Sequence, residues 1–441
     1  MANFLTSLIA LVVVLGIMIL VHEWGHFIVA RLCGVRVEVF SFGFGPRLWG
    51  WKRGATDYRL SALPLGGYVK MAGDNPSEDR AGEPDEFLSK PRWQRALIVL
   101  AGPTMNLLTT VILIAGILYF AGLPMEAFLV RPVEVAGVLK DSPADAAGLQ
   151  AGDQIVGISE LRNPTWEQAY EVLQKQAPGS DLRLQVERAG ESLTMSVPVN
   201  GARAPESVLG YPRVAAVVDQ VQPGSPAERA GMQGGDQIVG INGQTVENWY
   251  QVSQTIRGSG GQPLQLTIKR GDRKLHLQVK PVQGPSRSGE MIWQIGMGQR
   301  FERFYRELGL RDSVEYGVRN SWARGRLIVG IVGQLVTGKV SIRELQGVLG
   351  IGREAGRAVK RGPVDFLDLM ALISLNLGIL NLLPIPILDG GHILMLSIEG
   401  AIQRDLSLAV KERFVQVGMV FLLVILAIVM YNDVLRFLPG R

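Results

Sequence analysis

The sequence predicts a polytopic α-helical membrane protein: four transmembrane helices, a membrane-associated β-hairpin, and two α+β domains outside the membrane. Three observations predict it. Residues 1–21, 96–125, 369–388 and 414–432 of the 441-residue chain contain no charged side chain, and about 20 apolar helical residues cross a bilayer core. A segment of the middle region recurs 83 positions later. Between the first two apolar runs, VRVEVFSF and YRLSALPLGGYVKM alternate with the period of two that strands require.

The first run has no basic leader and no small-residue cleavage site, so it reads as a retained span. Residues 31–95 carry eleven Lys or Arg, and the stretch after the third run carries Arg404, Lys411 and Arg413. The positive-inside rule puts both on the cytoplasmic side. Both termini and the long stretch from about 126 to 364 then lie outside. The same rule accounts for the net charge of +5, so nucleic acid is excluded as a partner. The single cysteine, Cys33, rules out an intramolecular disulfide and reads as a small apolar filler. Residues 327–336, LIVGIVGQLV, are apolar but too short to cross and are flanked by Arg324, Arg326 and Lys339. They read as a short helix lying at the membrane surface.

His22-Glu23-Trp24-Gly25-His26 is an HExxH motif at the end of the first span. Four residues advance about 400° on a helix, so both imidazoles share one face. Neutral imidazole is a good zinc ligand, and Glu23 between the two is the candidate general base. Ionisable groups inside a span are costly and mark function. Catalytic zinc takes three protein ligands. His276 sits in the strand pattern LHLQV, far from any span. Asp389 and His392 both lie on the side of His26, in NLLPIPILDGGH, where Pro384 and Pro386 break a helix and Gly390 and Gly391 permit a tight turn. Asn106, Asn376 and Asn381 are amides in otherwise apolar helices. They are candidates for holding substrate backbone or for joining helices.

SPADAAGLQAGDQIVGI at 142–158 returns as SPAERAGMQGGDQIVGI at 225–241, with thirteen of seventeen positions identical. Trp166 and Trp249 keep the offset. The pattern resembles PDZ domains in their circularly permuted bacterial form, which bind extended peptides by strand addition. Asp153 and Asp236 read as turn residues. The organisation is therefore an N-terminal membrane part at 1–125 with a cytoplasmic-side hairpin at 35–71, PDZ domains at 126–221 and 222–300, an amphipathic connector at 301–364, and a C-terminal membrane part at 365–441.

VHEWGHFIVARLCGVRVEVFSFGFGP, DYRLSALPLGGYVKMAG, AGPTMN and SLNLGILNLLPIPILDGGH together resemble the site-two protease family, nearly end to end. Within it they are closest to the bacterial branch that regulates sigma-E. The resemblance implies one catalytic Zn2+ held by His22, His26 and Asp389, favouring Asp389 over His392. It implies cleavage of transmembrane segments after another protease has trimmed the substrate, an anti-sigma factor in envelope stress signalling, with signal-peptide remnants as further substrates. It also implies a multi-pass protein of the bacterial inner membrane, periplasmic PDZ domains that screen substrates by size or take peptide C-termini, and an active site toward the cytoplasm.

Overall fold

A computed structural model describes residues 2–75, 82–177, 179–199, 205–285, 291–338 and 347–437. The chain divides into two units, Met1–Leu123 with Glu307–Arg441, and Pro124–Arg306.

The first unit contains the helices numbered here α1 (Ala2–Leu32), α2 (Arg92–Ala121), α3 (Leu310–Val336), α4 (Val348–Arg361), α5 (Pro363–Asn381), α6 (Asp389–Ile402) and α7 (Leu408–Phe437). Four stretches are long and apolar enough to cross a membrane: Phe4–Leu32, Arg92–Ala121, Pro363–Asn381 and Leu408–Leu435. Helices in lipid associate through close packing and interhelical hydrogen bonds rather than the hydrophobic effect, and both are present. Val14 and Met18 of α1 are buried against Met370 and Ile373 of α5. Gly25 brings α1 onto the Ala101 carbonyl of α2, where any β-carbon would collide. Ser374 of α5 donates to the Asn106 carbonyl at 2.8 Å.

The segment 327–336 is not a separate short helix. It is the last part of α3, which runs unbroken for 27 residues. Ser313, Gly317, Ser321 and Gly325 recur every four residues and so share one face. Ser313 and Ser321 are buried. A β-carbon on Gly317 would come within 3.2 Å of the Val111 carbonyl of α2, and one on Gly325 within 3.4 Å of Ile379 of α5. These small residues let α3 lie directly on its neighbours, which explains its continuity. α7 is nearly bare of protein along its length and is held at its ends. Lys411 pairs with the buried Glu399 at 2.7 Å. Asp433 accepts the backbone N–H groups of Gly347, Leu349 and Gly350 at 3.0, 3.1 and 3.3 Å, capping α4.

Strands β1 (Val37–Arg53) and β2 (Thr56–Met71) form an antiparallel hairpin, within the 35–71 expected from alternation. Leu48, Trp49 and Trp51 near its tip are exposed.

In the second unit each repeat builds its own core, one around Trp166, Leu182 and Leu184, the other around Ile238, Leu266 and Ile268. Ala216 and Val218 belong to the second core. The shared Ser-Pro starts a short helix in both copies: Ser142 and Ser225 accept the N–H of Asp145 and Glu228, each with Pro at the first helical position. Asp153 and Asp236 are more than turn formers. Each is fully buried and clamped by an arginine from a later strand: Arg188 at 2.6 and 2.7 Å, Arg270 at 2.7 and 2.7 Å. The same arginines also donate to the Gly148 and Gly231 carbonyls.

Candidate metal centre

The HExxH motif lies within α1, in its last three turns. His22 and His26 are both buried, with Nε2 atoms 3.1 Å apart. The third group arrives from the far end of the chain. α5 stops at Asn381, ahead of Pro384 and Pro386 as expected. Ile387 then takes φ of +81°, a conformation that a β-branched residue adopts only under local strain. Gly390 and Gly391 lie against the carbonyls of Leu382, Leu383 and Ile385, with no space for a β-carbon. Their role is close approach rather than a left-handed backbone. This irregular turn starts α6 at Asp389, whose Oδ2 lies 3.1 Å from His22 Nε2 and whose Oδ1 lies 3.6 Å from His26 Nε2.

The imidazole nitrogens stand 3.1 Å apart and reach the two oxygens of the carboxylate at 3.1 and 3.6 Å, near the roughly 3.3 Å that bonds of about 2.0–2.1 Å to zinc set between neighbouring ligand atoms. His22, His26 and Asp389 form the one such group found among the described residues. Asp389 Oδ2 is buried without a hydrogen-bond partner, as expected of an oxygen shaped for a cation. The donor set, two imidazoles and one carboxylate, suits zinc.

The surroundings orient the rings. His26 Nδ1 donates to the Ile98 carbonyl at 2.8 Å, leaving the Nε2 lone pair for a metal. His22 Nδ1 faces the Asn106 amide at 3.2 Å, and Asn106 Oδ1 is buried without a partner. Turning that amide lets Oδ1 accept the ring N–H, which satisfies the oxygen and frees His22 Nε2 in the same way. Gly102 packs against both Nε2 atoms with no room for a side chain; the sequence marked it only as part of AGPTMN.

Glu23 accepts a backbone hydrogen bond from Val69 of β2. With His26 and Asp389 it lines a cavity of about 730 Å3. Asn381 Nδ2 lies 3.5 Å from His22 Nε2. Asn376 is half-buried on α5 and makes no hydrogen bond to the ligand set among the described residues. His392 lines the cavity without joining the three donors. His276 meets Thr267 at 3.1 Å on an exposed part of the second repeat.

Two imidazoles, a carboxylate and a glutamate outside the ligand set at one cavity in an apolar helical bundle define a membrane metallopeptidase. The model of Peptidase family M50 matches residues 10–425, and the chain belongs to that family. It is similar to Protease RseP of Yersinia pestis, 35% identical over 99% of this chain and 100% of the relative. It is also similar to the Regulator of sigma-E protease RseP of Escherichia coli K12, 33% identical over the same shares. The protein is a metalloprotease.

Proposed function

We propose that the protein is an intramembrane zinc endopeptidase that hydrolyses peptide bonds in or near transmembrane segments of membrane proteins already trimmed outside the membrane. The observation that carries the reading is the meeting of His22 and His26 from one apolar helix with Asp389 from the turn after another, at metal spacing and beside Glu23. His22, His26 and Asp389 would hold the zinc. When bound, zinc supplies Lewis acidity, polarising a carbonyl and acidifying water. Glu23 takes the proton of the attacking water and returns it to the leaving nitrogen. Asn381, close to the ligand set, donates to the substrate backbone. Asn106 orients His22. Asn376 belongs to the same proposed substrate path on α5.

Helical substrates hide their peptide bonds, so cleavage needs a locally unwound strand. The β1–β2 hairpin touches Glu23 through Val69 and offers an edge for strand addition. Its exposed Leu48, Trp49 and Trp51 fit insertion at a membrane interface. Similarity to the regulators of sigma-E supports an anti-sigma factor as substrate; signal-peptide remnants are further substrates in this proposal. The similarity also supports residence in the bacterial inner membrane. Basic residues at 31–95 support an active site toward the cytoplasm, with termini and repeats in the periplasm. The repeats then act as PDZ domains that screen substrates by size or take trimmed C-termini.

The test is Glu23→Gln in proteoliposomes with a membrane-spanning substrate. Zinc content stays at the wild-type level and cleavage stops; cleavage at the wild-type rate rejects the mechanism.

A further inference from the structure

Arg95 occupies a costly position for which the reaction above has no use. It lies in the first turn of α2, where a helix dipole disfavours a cation. Only 5% of it is exposed, yet Nε has no hydrogen-bond partner among the described residues. Among the described residues its one ion-pair neighbour is Asp405, 3.9 Å away, and Asp405 is already held by Arg92 at 2.9 Å. A buried guanidinium left this open is destabilising, so a structural role explains it poorly.

Arg95 lines the cavity that also contains Glu23, His26 and Asp389. It stands one helical turn before Ile98, whose carbonyl holds His26. The other cationic side chain in the wall, Lys411, is committed to Glu399 at 2.7 Å. Arg95 therefore keeps donor capacity that no partner uses among the described residues, on a planar group whose geometry matches a carboxylate.

We propose that Arg95 is a carboxylate-binding residue of the peptide path, in the wall of the cavity that His26 and Asp389 also line. Hydrolysis supplies such a group. Water oxygen bonds to the scissile carbonyl carbon, the C–N bond breaks, both water protons end on the leaving nitrogen as an ammonium, and the new chain end is left as a carboxylate. An Asp or Glu side chain of the substrate would offer the same chemistry. Arg95 draws this group away from the ligand set and so assists product release or fixes the register of the substrate.

The proposal rests on the peptidase reading, and its test separates the two. Short apolar peptides are prepared with a free C-terminal carboxylate, as the C-terminal amide, and as the amide with one internal Asp. Their binding to the full-length, zinc-loaded protein in detergent is measured alongside cleavage of a membrane-spanning substrate. The free acid binds about tenfold or more tighter than the plain amide, the scale of one charge-assisted hydrogen bond. Arg95→Gln abolishes the gap with zinc content unchanged. Arg95→Lys, which keeps the charge but loses the fork, narrows it, and this decides the matter if the Gln variant does not fold. Tight binding of the internal-Asp amide identifies the side chain as the ligand, and of the free acid alone the chain end. Equal binding of all three peptides, or a gap undiminished in both variants, overturns the role of Arg95. Absence of cleavage by the wild type would instead reject the peptidase reading.

Discussion

Gly102 of α2 packs so closely on His26 of α1 that a β-carbon there would collide with Nε2 of His26, and with Nε2 of His22 beside it. The metal-facing atoms of the HExxH motif therefore exist in a space left by a missing side chain on another helix.

Gly102→Ala is expected to displace the rings and cost at least roughly tenfold in zinc affinity, comparable to losing an outer-shell partner. Zinc content after dialysis against a weak chelator measures it, with helix content by circular dichroism unchanged.

Asn106→Ala removes the amide that faces His22 Nδ1. Partners of this kind contribute about 10–100-fold in metal affinity or activity. The variant is expected to fall in that range and to lose cleavage in proportion; wild-type zinc affinity would show that the amide does not orient the ring.

Much of this was legible in the sequence. Each of the four spans announced itself by a run of 19–30 uncharged residues, and the hairpin by its alternation. His22, Glu23 and His26 were legible because a helix turns spacing into geometry. Asp389 needed the family resemblance as well, because the motif spacing left His392 a rival. Gly102 and Asn106 were less legible. Their roles depend on which face of α2 meets α1, and apolar periodicity does not fix that in lipid. The continuity of α3 is not legible in apolar run length, because it lies in the four-residue spacing of Ser313, Gly317, Ser321 and Gly325. The arginine clamps on Asp153 and Asp236 join residues 35 and 34 positions apart, a separation that local turn chemistry cannot reveal.

Val69→Pro deletes the N–H that reaches Glu23. Cleavage is expected to fall at least about tenfold, the lower range for a disturbed general base, while zinc stays bound. Simultaneous loss of zinc would mean that the hairpin supports the whole site rather than Glu23 alone.

Asp236→Ala is expected to destabilise the second repeat by about 2–3 kcal/mol, below the usual cost of breaking a buried pair because Arg270 can reach water. Burial pushes the Asp236 carboxyl up, but the Arg270 guanidinium and the Gln233 N–H outweigh it and hold it below its usual range. A carboxyl depressed in the folded state stabilises above its unfolded value, near pH 4, and loses that contribution as pH falls through the folded value. Hydrogen exchange over 225–279 should therefore accelerate on acidification below about pH 4. In Asp236→Ala, exchange is faster at neutral pH and this acid-dependent component is reduced.

The shared ion is tested most directly by metal analysis of the purified full-length protein with and without Asp389→Ala. The wild type should carry about one zinc per chain, the three-ligand stoichiometry of a catalytic site, and the variant should carry little. One firmly held zinc in Asp389→Ala would contradict the account, because His22 and His26 would then not depend on the carboxylate brought to them from the third span.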